Sequence, residues 1–553
     1  MKKNLNYLVL IAAAGILFQF GCCGDNLDEI TINNVSNAEK IIGMEFEADE
    51  RDSMLTDLAD NLESYIEMRK VEIDNSVPPS IWFNPLPRNF EVNYNQEKIK
   101  FSKPKKVAMP ENIDDLAFFS VGELAELVRT KKVTSTQLTR LALDRLKKFD
   151  PDLHCVITLT EELALAQAAK ADEEIKSGKY RGPLHGIPYG AKDLLAVKGY
   201  KTTWGAMPYK DQILDFNATV IKKLEAAGAV LVAKLSLGAL AWGDVWFADT
   251  TRNPWNLEQG SSGSSAGPAS AVSAGLVPFA IGSETWGSIV SPSTRCGTTG
   301  LRPTYGAVSR AGAMALSWTM DKLGPICRTV EDCALVYNAI RGSDGIDMSV
   351  IDAAFNYNPD IDLKSLKIGY LKKDFDTDSS YMEHNNNALQ VMRGLGVDLI
   401  EIELPDMPIM PMSIILSAEA AAAFDELTRS NRDDLLVRQI KNSWPNTFRG
   451  SRFIPAVEYI QANRLRTLMI EKMAALMKDI NVYIAPSFEG NNLLLTNLSG
   501  HPCVVLPHGF NEEGAPTSIT FIGRLYDEAT LVAVAGKFQD ATDFHMKHPE
   551  RFE

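Results

Sequence analysis

Short apolar runs recur along the chain with helix-length gaps between most of them: "AVLVAK" (229–234), "LVPFAIG" (276–282), "LKIGYL" (366–371), "VDLIEIEL" (397–404), "VYIAP" (482–486), "PCVVLP" (502–507) and "SITFIG" (518–523). Runs of this length predict strands, and runs with little polar alternation predict strands buried on both faces. Between them, polar and apolar positions follow the helical period. Ser120 and Glu123 form a capping box ahead of Leu124, Leu127 and Val128, and Thr134 with Gln137 repeats the device. Residues Asp527 to Asp540 read as a closing helix. Buried strands alternating with helices predict an α/β fold, with one large internal sheet sandwiched between helices.

The N-terminal pattern is different. "MKKNLNY" gives a short basic start, and 13 apolar or near-apolar residues follow in "LVLIAAAGILFQF" (8–20) before "GCCGDN". That run is short for a membrane span and has the layout of a secretory signal. A cysteine directly behind it resembles a bacterial lipoprotein signal with Cys22 lipidated and Cys23 as competitor, although Gln19 and Phe20 depart from the usual box. An ordinary signal peptide or an N-terminal anchor is the plainer alternative. The organisation expected is a signal over 1–21, a tether over 22–36, a helical and extended N-terminal segment over 37–112, and the main domain over 113–553. Within 37–112, charged amphipathic helices reach to about residue 75, and the proline-rich "NSVPPSIWFNPLP" then predicts extended chain.

Composition narrows the function. Hydrophobic residues make up 45% and charged residues 23%, so the chain can bury a large core. The net charge of −15 argues against a nucleic-acid partner held by general electrostatics. Cys155, Cys296, Cys327, Cys333 and Cys503 lack metal-ligand spacing and read as buried thiols, and no His-Glu-x-x-His motif is present, so neither metal nor cofactor is expected.

The candidate chemistry lies in "GSSGSSAG" (260–267), which offers Ser261, Ser262, Ser264 and Ser265. Taken alone, such a loop is more often a connector. The small residues of "AGPASAVSAG" (266–275) suit a helix wedged beneath a sheet, and "SETWGSIVSPSTRCG" (283–297) is a second small-residue loop. Lys192, in "GPLHGIPYGAKD" (182–193), would ordinarily be a solvated surface charge, but its neighbours are apolar.

Together and in this order, "GIPYGAKD", "SGSSAGP" and "WGSIVSP" closely resemble the hallmarks of the amidase signature family of serine hydrolases. "CGTTGLRPTYGAVSR", "DKLGPICRTVEDCA", "NLSGHPCVVLPHG" and "IGRLYDEATL" extend the resemblance over about 115–545. It implies the amidase signature fold and a Ser-Ser-Lys triad. Ser288 is the nucleophile, Ser264 the relay preceded by a cis peptide bond from Gly263, and Lys192 the base. Counting 24 positions back from Ser288 selects Ser264, and Ser261 would need an insertion in the small helix. The resemblance also implies an oxyanion hole from the N–H groups of Thr285, Trp286, Gly287 and Ser288, with Ser265 in the same substrate-binding set. Segments 200–215, 312–320 and 405–460 are expected around the pocket, with Trp204, Trp318 and Met314 as apolar surface.

The departures are Trp286 for a glycine, Val290 for an arginine that Arg295 would have to replace, and Ala266 and Pro268 after the paired serines. They bear on substrate and leave the triad intact. The function implied is an exported, envelope-located amidase acting on a small-molecule or peptide amide, attached to the membrane through Cys22. Two alternatives share the motifs: a tRNA-dependent amidotransferase A-type subunit, and a non-catalytic amide- or peptide-binding envelope protein.

Overall fold

The computed structural model describes residues 30–102 and 107–553. Cys22 and the signal-like stretch lie outside them. Among the described residues, no helix is long and apolar enough to cross a membrane. The chain divides into two compact units between Ile73 and Asp74.

The first unit carries helices Ile32–Ile42, Ala48–Ser53 and Leu55–Met68. The first begins inside the stretch expected to be a tether, because Thr31 caps it: its side chain accepts from the Asn34 N–H while Asn34 reaches back to the Thr31 N–H. Arg51 clamps Glu39 with two charge-assisted hydrogen bonds of 2.7 and 2.8 Å.

The second unit is built on strands β1 (Val156–Leu159), β2 (Pro188–Lys192), β3 (Val230–Leu235), β4 (Arg252–Asn253), β5 (Asn256–Gly260), β6 (Phe279–Glu284) and β7 (Thr299–Arg302). Strands β8 (Lys322–Cys327), β9 (Ile368–Leu371), β10 (Leu399–Ile402), β11 (Val482–Pro486), β12 (Cys503–Phe510) and β13 (Pro516–Gly523) complete it. β4 and β5 pair with each other. The remaining strands form one 11-stranded sheet in the order β1-β3-β2-β6-β8-β7-β12-β13-β11-β9-β10. It is mixed: β2 runs parallel to β3 and β6, whereas β8 is antiparallel to β6 and β7. All seven apolar runs became strands.

Except at its edge strand β10, where Ile400 and Glu401 are exposed, the sheet is covered on both faces. Along β3, Val230 and Val232 join one apolar cluster while Leu231 joins the other, and along β12 Val505 and Val504 divide in the same way. Helices Ser135–Leu153 and Ala266–Ser273 contribute to one cluster, and Val330–Ile340 and Glu528–Asp540 to the other. Both capping boxes of the sequence are present, at Ser120 and Thr134. The five described cysteines are buried and unpaired.

Four strands of the large sheet were not legible as apolar runs: β1, β2, β7 and β8. Glycine and proline in "PYGAK" and "KLGPIC" read as punctuation, yet Gly190 and Gly324 permit close strand contact. A Cβ on Gly190 would strike Leu235, and one on Gly324 would strike the Leu301 carbonyl. The second small-residue loop also ends early, because Val290–Cys296 is helical with Pro292 in its first turn, where no N–H is needed.

Candidate functional site

The sheet brings three remote stretches together. Lys192 ends β2, Ser264 and Ser265 stand immediately before the helix Ala266–Ser273, and Ser283 lies in β6 just ahead of the loop 285–289. Every residue of that helix is buried. Gly267 allows the approach, since a Cβ there would crowd the Ser236 N–H at 2.5 Å and the Cys155 carbonyl at 2.6 Å. The Gly263–Ser264 peptide bond is cis. A Cβ on Gly263 would collide with the Gly243 carbonyl. Gly263→Ala is therefore expected to displace the serine loop, costing about 1–3 kcal/mol in stability and lowering Ser288 reactivity, read by thermal melting and by the rate of fluorophosphonate labelling.

Lys192 is fully buried and makes no ion pair among the described residues. Its Nζ lies 2.8 Å from Ser264 Oγ, 3.1 Å from Ser265 Oγ and 2.8 Å from Ser283 Oγ. Burial pushes the Lys192 amine well below its ordinary value, against the opposing pull of Asp321 and Glu284. A neutral amine has two N–H groups and one lone pair. Ser265 Oγ already donates to the Ser283 carbonyl at 3.0 Å, so it accepts from Lys192. Ser264 and Ser283 occupy the two remaining positions that such an amine would offer, one N–H and the lone pair. Ser265 is a brace: it accepts from the Ser283 N–H at 3.1 Å, and its own N–H donates to the Ser288 carbonyl at 3.1 Å.

Ser288 is partly exposed, and its hydroxyl makes no hydrogen bond among the described residues. The N–H groups of Thr285, Trp286, Gly287 and Ser288 likewise donate to no acceptor there. The loop turns through Gly287 at φ 84°. Glu284 fixes it from beneath: one carboxylate oxygen accepts from Ile289 N–H (2.8 Å) and Val290 N–H (3.0 Å), while the other accepts from Arg302 (2.6 Å) and Asn497 (2.8 Å). Burial alone would raise this carboxyl, but Arg302, Asn497 and the loop N–H groups hold it at about 2. On the outer side, Thr285 Oγ1 donates to Asp321 Oδ1 at 2.6 Å.

A cavity of about 230 Å³ opens beside this centre and reaches Ser283, Thr285 and Asp321. Met314 and Trp318 from the expected segment 312–320 line it. Trp204 does not; it is buried against Tyr209 and Phe424. Trp286 stands 37% exposed, and the cavity is lined by Thr285 in its place. Arg295 is occupied with Gln259 on the surface, and the cation closest to the loop's support is Arg302. Ser261 and Ser262 take other partners: Ser261 Oγ donates to the Ser262 carbonyl, and Ser262 shares a hydrogen bond with Ser291. Among the described residues, no group of three or more His, Cys, Asp or Glu side chains is placed to hold a metal.

Sequence reading missed Ser283, Glu284, Arg302 and Asp321. The signal for Glu284 was present, because a lone carboxylate ending an apolar strand must find partners. Arg302 offered the matching clue two strands away.

The Amidase family model matches residues 137–493. The chain belongs to the amidase family. Its curated amidase relatives include the A-type subunit of glutamyl-tRNA(Gln) amidotransferase from Carboxydothermus hydrogenoformans, 32% identical over 489 residues that cover 79% of this chain and 100% of the relative. Among solved amidase structures, native peptide amidase from Stenotrophomonas maltophilia superposes with a TM-score of 0.70 at 27% identity, covering 78% of this chain and 98% of that one. The A-type subunit of glutamyl-tRNA(Gln) amidotransferase from Thermotoga maritima superposes with a TM-score of 0.66 at 26% identity, covering 77% and 95%.

These relatives correct three expectations. An exported amidase, an envelope location with membrane attachment, and action alone on a small-molecule or peptide amide without nucleic acid all give way. The curated relatives, matched over their whole length, are named as one subunit of a glutamyl-tRNA(Gln) amidotransferase. The N-terminal apolar run had carried the export expectation, and a signal-like layout identifies no activity. The net charge likewise bears on general electrostatics and leaves a complex with other subunits open.

Proposed function

We propose that this amidase-family chain is an A-type amidotransferase subunit, which breaks the C–N bond of a donor carboxamide and releases its nitrogen for transfer within a complex. The observation that carries the proposal is the fully buried Lys192 placed on Ser264 at 2.8 Å, beneath a loop whose Thr285 to Ser288 N–H groups donate to no acceptor among the described residues. The 32% identity across the whole length of an A-type subunit supports the transfer role.

In this reading Ser288 Oγ attacks the amide carbonyl. Its proton passes to Ser264, and the Ser264 proton moves to Lys192 Nζ. The oxyanion meets the N–H groups of Thr285 to Ser288, which are fixed before charge develops. When the tetrahedral species collapses, the Lys192 ammonium returns a proton through Ser264 to the departing nitrogen, leaving acyl-Ser288 and ammonia. Water then attacks the acyl-Ser288 ester, releases the acid and restores the Ser288 hydroxyl.

The role is tested by converting glutamyl-tRNA(Gln) to its amidated form with this chain, companion subunits and a carboxamide donor. Transfer that disappears in Ser288→Ala supports the reading. Ser288 labelled by a fluorophosphonate, yet no transfer in the assembled complex, would refute the amidotransferase role.

The pH dependence follows from Lys192. The reactive form is the neutral amine, and burial favours it, so labelling of Ser288 should rise with pH through a limb centred well below the ordinary lysine value of 10.5. Lys192→Met should remove that limb. A limb centred near 10.5 in the wild type would contradict a buried, neutral base.

A further inference from the structure

Two buried lysines stand one position apart on neighbouring strands. Lys192 ends β2, and Lys234 lies in β3, where it pairs with Ala191 while Leu235 pairs with Lys192. Successive residues of a strand face opposite sides, so the two amines lie on opposite faces of the sheet. Lys192 reaches the serines that begin the helix Ala266–Ser273. Lys234 reaches Asp193, the residue directly after Lys192, with Nζ 2.6 Å from Oδ1 and both side chains fully buried.

Their partners set the two amines apart. Lys234 Nζ also donates to the Lys201 carbonyl and to Thr202 Oγ1, each at 2.8 Å, so three acceptors, one of them a carboxylate, match the three N–H groups of an ammonium. Lys192 has three hydroxyls and no carboxylate partner among the described residues. Burial lowers both amines, but the Asp193 carboxylate holds Lys234 up, whereas Lys192 falls well below its ordinary value. The carboxylates that bear on Lys192 have partners of their own. Glu284 is matched by Arg302, and Asp321 accepts from Thr285 and from the N–H groups of Leu316 and Ser317. The helix Ala266–Ser273 brings no ionisable side chain, and Arg145, from the helix Ser135–Leu153, is committed to the Ala274 and Gly275 carbonyls. On the other face, Asp193 Oδ2 accepts from the Thr203 N–H at 2.8 Å and from the Thr203 hydroxyl, while the Asp193 N–H donates to the Leu235 carbonyl at 2.9 Å. The Lys201 ammonium turns away to Asp211. No residue of the segment 200–215, which the sequence placed around the pocket, lines the cavity; Lys201 to Thr203 hold the end of β2 instead.

We propose that Asp193 and Lys234 are positioning residues for the base: their ion pair pins the end of β2 so that Lys192 Nζ stays on Ser264, and Lys234 compensates the buried carboxylate next to Lys192 in the chain. The proposal rests on Lys192 being the base, as read above. It is tested by the pH dependence of fluorophosphonate labelling at Ser288 in Lys234→Gln, Asp193→Asn and the double variant. Lys234→Gln leaves the Asp193 carboxylate uncompensated, which favours the ammonium form of Lys192. The midpoint of the limb should then move up by about one pH unit, the scale on which one uncompensated charge acts across a protein interior. Asp193→Asn keeps the cation alone, and the midpoint should move down. The double variant removes both charges and should return the midpoint to the wild-type value.

Opposite movements that cancel in the double variant support the proposal, because a loss of packing alone lowers the melting temperature and the plateau rate and leaves the midpoint in place. Midpoints that stay at the wild-type value, or that move in the same direction in both single variants, would overturn it. Where one single variant does not fold, the sign of the movement in the other decides. Lys192→Met labelled as fast as wild type would instead overturn the reading of the base, so the two failures are distinguishable.

Discussion

Ser288→Ala is expected to abolish acylation, and Lys192→Met to slow it by about 10² to 10⁴, the usual contribution of a positioned base. Nucleophile loss is the larger effect, because no oxygen remains at position 288 to form the covalent bond. Lys192→Met suits the comparison because it keeps an unbranched apolar stem in a buried site and removes the amine that Ser264, Ser265 and Ser283 surround. Because these residues act together, Lys192→Met and Ser264→Ala should not add: the double variant should react about as slowly as the slower single one. The measurement is the labelling rate at Ser288 by mass spectrometry, with melting temperature as the control. Full additivity would mean that Ser264 does not carry the proton to Lys192.

Glu284→Gln is expected to be the most damaging single change away from the reacting atoms. The carboxylate faces donors on both sides: Ile289 and Val290 N–H on one oxygen, Arg302 and Asn497 on the other. An amide in its place must turn an NH2 toward one of these sets, and it leaves the buried Arg302 guanidinium without its counter-charge. Breaking a buried pair from one side costs about 3–5 kcal/mol. The loop 285–289 loses its support in the same step, so labelling of Ser288 should slow as the midpoint of chemical denaturation falls.

Acid offers a separate check. The Glu284 carboxyl is held at about 2 against a reference of 4.5. Its contribution to stability is therefore fully present above the reference and is lost as pH falls through about 2. Wild type should lose stability across that interval more steeply than Glu284→Gln.

The sequence made some of this visible. Six of the seven legible strands are buried and written as apolar runs; the seventh, β10, lies at the sheet edge with Ile400 and Glu401 exposed and was legible through alternation in "VDLIEIEL". The capping boxes at Ser120 and Thr134 were legible because their partners sit three residues apart. β8 was hidden because Gly324 and Pro325 look like a turn until the neighbouring strand is known to press against them. The family motifs singled out Lys192, Ser264 and Ser288, and the structure places Lys192 on Ser264, with the Ser288 backbone tied to Ser265. Glu284, Arg302 and Asn497 meet only when three elements fold together, up to 213 positions apart in the chain, so no local pattern announces them. The hydrogen bond from Asn75 to the Ala315 carbonyl was illegible for the same reason, since the two lie 240 positions apart.

The helix Ala266–Ser273, with no residue at the surface, has a further consequence. A segment enclosed on every side has no small opening motion of its own; its amide hydrogens reach solvent only when the sheet separates around it. The serines that begin it therefore share the fate of the whole unit. As the protein is denatured, reactivity at this centre should vanish together with the sheet and leave no inactive but otherwise native species behind.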